Sequence, residues 1–214
     1  MSIQISGTTV IDNSRNLTNG GSGSFSSTVT VATPTSSNHA TTKTYVDDAF
    51  DAVAGKILQV QQTFTDNQSY SSSSLNWVQM AALNRTITTT QTNSKILLVG
   101  MVAVGTDTDG GTLGEAILAF TRGGSRIGTG SNSGSSPGSG GGIYTMLNYY
   151  LDNWSSTYLD SPSVSSGTTL TYGVQFAIAY NSSNTAYINR TGDGANQLYD
   201  PNGSSTLVAI EIAP

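Results

Sequence analysis

Short runs in which apolar and polar residues take turns recur along most of this chain. "SIQIS", "STVTVAT", "KILQVQQTFT", "NRTITTT", "TTLTYGVQFAIAY", "TAYINRT" and "STLVAIEIA" carry the two-residue period of a half-buried strand. "NWVQM", "LGEAILAFTR" and "GIYTMLNYYL" add β-branched and aromatic residues suited to a pleated surface. "SKILLVGMVAVG" instead holds an apolar run from Ile96 to Gly105. A membrane helix needs about 20 such residues, so the run reads as a strand buried on both faces. Glycine, serine and asparagine clusters punctuate the runs and supply turns. "TYGVQFAIAY", "NSSN" and "TAYINR" together have the form of a hairpin, and "GTGSNSGSSPGSGGG", Gly128 to Gly142, reads as a long flexible loop. Eight or nine short strands with polar turns predict a mainly β fold, a jelly-roll-like sandwich over residues 56–214.

The period changes once. In "NHATTKTYVDDAFDAVAGK" the apolar positions Val46, Ala49, Phe50 and Val53 fall three and four apart, continuing to Ile57. Asn38 or Thr42 can cap the start, and Gly55 fits the position just past the end. A helix over residues 38–55 follows. It is too short to stand alone in water, so its stripe needs a partner: the following β domain, or copies of itself in a short coiled coil. Residues 1–37 hold two extended candidates around "DNSRNLTNGGSGS", with apolar residues too few for a core of their own. They read as an extended segment ordered by a partner.

Composition narrows the classes. Charged residues make up 10% of the chain, and the net charge is −5 with 8 Lys+Arg. No basic cluster exists to neutralise phosphates, so no nucleic-acid partner is expected. There is no cysteine, which excludes disulfide scaffolds and thiolate metal sites. "MSIQISGTTV" lacks a basic stretch followed by an apolar one, so neither a secretory signal nor membrane insertion is expected.

"PTSSNHATTKTYVDDAF" resembles a recurrent segment of tailed-bacteriophage tail-fibre proteins, where a proline and then Ala-Thr-x-Lys-x-Tyr-Val-Asp open a short trimeric coiled coil. Pro34, Ala40, Thr41, Lys43, Tyr45, Val46 and Asp47 carry the match. "GTTVIDNSRNLTN" is similar to the segment that often precedes it. "GKILQVQQTFTD", "SKILLVGMVAVG", "LDSPSVSSGTTLTYGVQF", "AYINRTG" and "STLVAIEIAP" resemble β-sandwich domains that end fibre-like proteins of marine and cyanobacterial phages. Many such fibres carry repeated shafts, and no shaft repeat is seen here. The resemblance implies a short homotrimeric fibre in the virion, made in the host cytoplasm. Residues 1–37 would anchor it to tail or baseplate proteins, Val46, Ala49, Phe50 and Val53 would form the trimer seam, and residues 56–214 would bind a host surface polysaccharide. A purely structural decoration and a glycan-cleaving spike are the competing functions.

Candidate chemistry is sparse. The single histidine, His39, lies beside the helix start and has no partners for a triad or zinc site. Asp107, Asp109 and Glu115 in "GTDTDGGTLGE" are a weak calcium candidate whose spacing misses the EF-hand loop. Asp193 and Asp200 in "TGDGANQLYD" read as loop residues. Nothing pairs Asp152, Asp160, Asp193 or Asp200 at catalytic separation, so no enzyme and no cofactor are expected. "YTMLNYYLDNWSSTY" concentrates four Tyr and one Trp. Aromatic faces stack on sugars while Asn and Asp bind hydroxyls. Tyr150, Asp152, Asn153, Trp154 and Tyr158 are therefore the glycan-contact candidates, against the plainer reading that the aromatics, Tyr144 and Tyr149 above all, are strand residues.

Overall fold

The computed structural model describes residues 3–5, 8–11, 46–47, 55–73, 75–107, 114–134, 137–145, 147–179, 184–194, 198 and 200–214. The chain divides into two units, Met1–Ala52 and Val53–Pro214. In the first, β1 (Ile3–Ile5) pairs antiparallel with β2 (Thr8–Ile11). Val46 and Asp47 are helical and exposed. The other seam positions, Ala49, Phe50 and Val53, lie outside the described residues, as do His39 and "STVTVAT".

Among the described residues of the second unit, the regular structure is β apart from one short 3-10 turn, Ala81–Leu83. Its strands are β3 (Ile57–Thr65), β4 (Ser71–Ser72), β5 (Val78–Gln79), β6 (Arg85–Thr88), β7 (Lys95–Asp107), β8 (Gly114–Arg122), β9 (Ser125–Ile127), β10 (Gly142–Thr145), β11 (Asp152–Asp160), β12 (Thr169–Ile178), β13 (Thr185–Ile188) and β14 (Ser205–Ile212). Two antiparallel sheets form. One runs β10-β8-β12-β5, with β6 also on β12 and β9 on β8; the other runs β3-β14-β7-β13-β4, with β11 also on β7. β14 and β11 both pair with β7 over Ile96–Met101. They must therefore occupy its opposite edges.

Alternation decides what each sheet buries. β14 reads buried at Leu207, Ala209 and Glu211 and half-exposed between them. Leu98 and Val102 of β7, Leu118 and Phe120 of β8, and Val174 and Phe176 of β12 join the same core. The sheets interlock where Trp154 of β11 meets Phe120 of β8, ring centroids 5.1 Å apart. Gly100 makes room for that contact, since a Cβ there would come 2.8 Å from the Phe120 ring. On the far side of the second sheet, Thr206, Val208 and Ile210 lie between Met101, Val99 and Leu97 of β7 and Phe64, Gln62 and Val60 of β3.

Three sequence expectations change. β12 and β13 are not a hairpin: β12 pairs with β5, β6 and β8, whereas β13 pairs with β4 and β7. The chain crosses between sheets in the connection between them, and alternation says nothing about partners. β7 is buried on both faces over Val102–Thr106, but Val99 and Met101 stay 38% exposed. The glycine-rich segment is tied down at both arms. Gly130 N donates to Ser139 O, Gly140 N to Leu118 O and Leu118 N to Gly141 O. Two of its glycines lie on aromatic rings: a Cβ on Gly128 would reach 2.7 Å from Tyr158, and one on Gly141 3.0 Å from Trp154.

Candidate functional site

The register defines two ends of the β unit. Ile57 pairs with Ile212, which pairs with Lys95, while Asp160 pairs with Ile96. Lys56 therefore enters beside the C-terminal strand, and Ala213 N donates to Lys56 O at 2.9 Å. We call this the entry end. Thr65, Ser205, Asp107 and Asp152 mark the opposite, far end, where the β10–β11, β12–β13 and β13–β14 connections gather.

At the far end the chain turns over Leu147–Tyr150, with Tyr150 N donating to Leu147 O. Tyr144, Tyr149 and Tyr150 are 55%, 42% and 53% exposed. The Tyr149 and Tyr150 rings lie 5.5 Å apart and tilted by 37°. Asp152 and Asn153 follow, both exposed, with Asn153 N donating to Asp152 Oδ1. The Tyr144 hydroxyl donates to Glu115 Oε2 at 3.1 Å. Trp154 is different: it is 4% exposed and belongs to the core. Tyr158 is half-buried, packed against the same core and covered by Gly128. Both point inward from β11, one period-2 step either side of Ser156. Of the five glycan candidates, Tyr150, Asp152 and Asn153 come together at the surface; Trp154 and Tyr158 do not join them.

Beside this turn lies a polar pocket of about 150 Å³ lined by Gln68, Arg190, Thr191, Gly194, Asp200 and Asn202. Asp193 N donates to Asn148 O at 2.9 Å, tying the pocket's loop to the tyrosine turn. The Arg190 guanidinium stacks over the Tyr187 ring, 3.7 Å from its centroid. That contact fixes a long cationic side chain in place. Thr191 Oγ1 donates to Asp200 Oδ1 and accepts from Gly194 N. Asn189, next to Arg190 in the chain, is fully buried with a left-handed φ of 61°. Its side chain donates to Thr65 O and Asn67 O and accepts from Ser205 Oγ. Neutral Gln68, Thr191 and Asn202 beside the charged Arg190 and Asp200, flanked by exposed tyrosine rings, can hydrogen-bond hydroxyls and stack on the apolar side of a ring. Sequence reasoning missed Gln68, Arg190 and Asn202, because three separate segments supply the lining and none carries a local signal.

A second cleft, about 550 Å³ and open, lies outside the first sheet, lined by Arg126, Asn132 and Gln175 among others. Arg126 stacks over Trp77 at 4.3 Å, and Gln175 donates to Gly124 O. No group of three His, Cys, Asp or Glu residues suited to a metal occurs among the described residues. Glu115 of the calcium candidate accepts from Tyr144, and Asp109 lies outside the described residues. No helix of the described residues is long and apolar enough to cross a membrane. Compared with protein-family models and with curated proteins, the chain matches none.

Proposed function

We propose that this chain is a short homotrimeric phage tail fibre: an anchor at residues 1–37, a coiled-coil helix at 38–55, and a jelly-roll-like sandwich whose far end binds a host surface polysaccharide. The observation that carries the binding role is the pairing of exposed Tyr149 and Tyr150 with the Gln68–Arg190–Asp200 pocket. Both lie at the end opposite Lys56. A fibre held by its N-terminal segment would present that end outward. Single small polar sites of this kind bind weakly, and three or more acting together raise the effective concentration.

The contacts are Tyr149, Tyr150, Asp152, Asn153, Gln68, Arg190 and Asn202. Trp154 is left out because truncating it would hollow the core. The test is competition: soluble full-length protein should block attachment of phage to its host. Tyr150→Ala combined with Arg190→Ala should abolish the block while circular dichroism stays unchanged. Wild-type protein that binds neither cells nor their extracted polysaccharide would leave the purely structural role in its place.

A further inference from the structure

The outer side of the β3–β14–β7–β11 sheet is apolar and bare. Ile57, Val60 and Phe64 are 60%, 54% and 62% exposed, Leu159 is 46% exposed, and Val99 and Met101 flank Val208. Single exposed apolar residues are ordinary, but a contiguous patch of this kind marks an interaction surface. The first sheet shows no such surface. Its outward rows pair Thr121 with Gly173, Ala119 with Gln175 and Ile117 with Ala177, and the one bulky apolar residue of these pairs, Ile117, is only 5% exposed.

We infer that this face is where copies of the chain associate, three faces turned inward about a common axis. The number three rests on the fibre reading above; the self-association does not. Charge is the first argument. At a symmetry axis each charged group meets its own copy, so a self-pairing surface must be free of charge. The protein carries a net −5, yet between Lys95 at the entry-end margin and Thr206 the outward residues are apolar, hydroxyl or amide. Size is the second argument. Four strands at ~4.8 Å spacing, by eight residues at ~3.3 Å, give a face roughly 19 Å by 26 Å. Three such faces bury on the order of 1,500 Å² together but only about 500 Å² per pair of copies, below the ~1,000 Å² of a specific two-body interface. Closure of all three faces at once is therefore what stabilises the assembly.

Shape is the third. Sides about 19 Å wide closing a triangular prism put the axis roughly 5.5 Å from each sheet. Packed sheets stand ~10 Å apart, so one layer of side chains fills about that depth. The prism would close without a void. The same packing accounts for the outer half of the apolar run in β7: Leu97, Val99 and Met101 would be covered by neighbouring copies, whereas Val102–Thr106 are already buried within the chain.

The test uses the full-length protein, which should elute at three times 22.2 kDa. Val208→Glu should drop the mass to one chain with unchanged circular dichroism, and Gln175→Glu on the other sheet should leave it at three. The chain has no cysteine, so a Val208→Cys variant gives a clean second reading. Mild oxidation should link chains through Cys at this position and not through a Thr171→Cys control. A Val208→Glu protein of wild-type mass whose Val208→Cys counterpart fails to cross-link overturns the inference and leaves a trimer held by residues 46–53 standing. A monomeric wild type, or one whose own residues 1–52 shield the face from labelling, overturns it as well. Polysaccharide binding by the one-chain Val208→Glu variant, weak at each site, reports on the proposed function separately.

Discussion

The two ends of the β unit differ in where they put their carboxylates and tyrosines. At the entry end, polar groups are buried and saturated. Asp160 is 4% exposed and receives Arg122 Nη1 at 2.8 and 2.7 Å and the Tyr172 hydroxyl at 2.7 Å, which joins β11 to β8 and β12 across the two sheets. Burial and the bond to Asp160 push the Tyr172 phenol well above its ordinary pKa. Glu211, fully buried, receives Gln59, Thr90 N, Thr90 Oγ1 and Gln91 N, which pins the turn after β6 onto the last strand. At the far end the tyrosines, Asp152 and Asn153 stand in solvent. Buried carboxylates that accept from several donors of their own chain build the scaffold; the exposed tyrosine rings and Asp152 present themselves to solvent.

Three substitutions test that contrast. Asp160→Ala should cost the most, about 2–4 kcal/mol, because it strands a buried phenol and a partly covered guanidinium. The 35% exposure of the Arg122 side chain keeps the figure below that of a fully buried pair. Urea denaturation would measure it; a loss under half a kilocalorie would mean that the sheets do not depend on this junction.

Next comes Glu211. Burial alone would raise its pKa, but the bonds from Gln59, Ser94, Thr90 and Gln91 outweigh that and hold it below the ordinary 4.5. A carboxyl held low in the folded state stabilises above its unfolded pKa, and that contribution is lost as pH falls through the folded value. Wild-type stability should therefore decline below about pH 4.5. Glu211→Gln should be weaker by about 1–3 kcal/mol at pH 7 and lose part of that acid dependence. Parallel pH profiles for the two proteins would remove Glu211 from the account. The smallest effect should come from Tyr150→Ala, within about 0.5 kcal/mol of wild type. If it destabilised as much as Asp160→Ala, the far end would be scaffold too.

Much of the strand content could be read from alternation, and β14 is the clearest case: each second residue of "STLVAIEI" is buried. What alternation lacks is partnership: β12 and β13 are neighbours in sequence and read as a hairpin, yet they belong to different sheets. β11 carries a weak strand signal because "DNWSSTYLD" is rich in Asn, Asp and Ser, which do not favour strands. Its parity was nonetheless informative. Trp154, Tyr158 and Asp160 share one side, and a side that holds Trp154 and Asp160 both nearly buried is the core side. Reading the aromatics as a cluster, without their period, sent Trp154 to the surface. The exposed Tyr150 was legible; its neighbours Gln68 and Arg190 come from other connections, and sequence distance hides them.

The junction of Lys56 with Ala213 has a mechanical meaning. The ladder hydrogen bonds of an antiparallel sheet lie across its strands. Tension between Lys56 and the tyrosine turn runs along β3, β14, β7 and β11, and so loads many of those bonds at once, in shear. Tension between Lys56 and Ala213, adjacent at the same end, would instead open the β3–β14 ladder one bond after another. The unit is built to be strong along its long axis and weak across it, like cloth that resists a pull along the thread and parts at a nick in the hem.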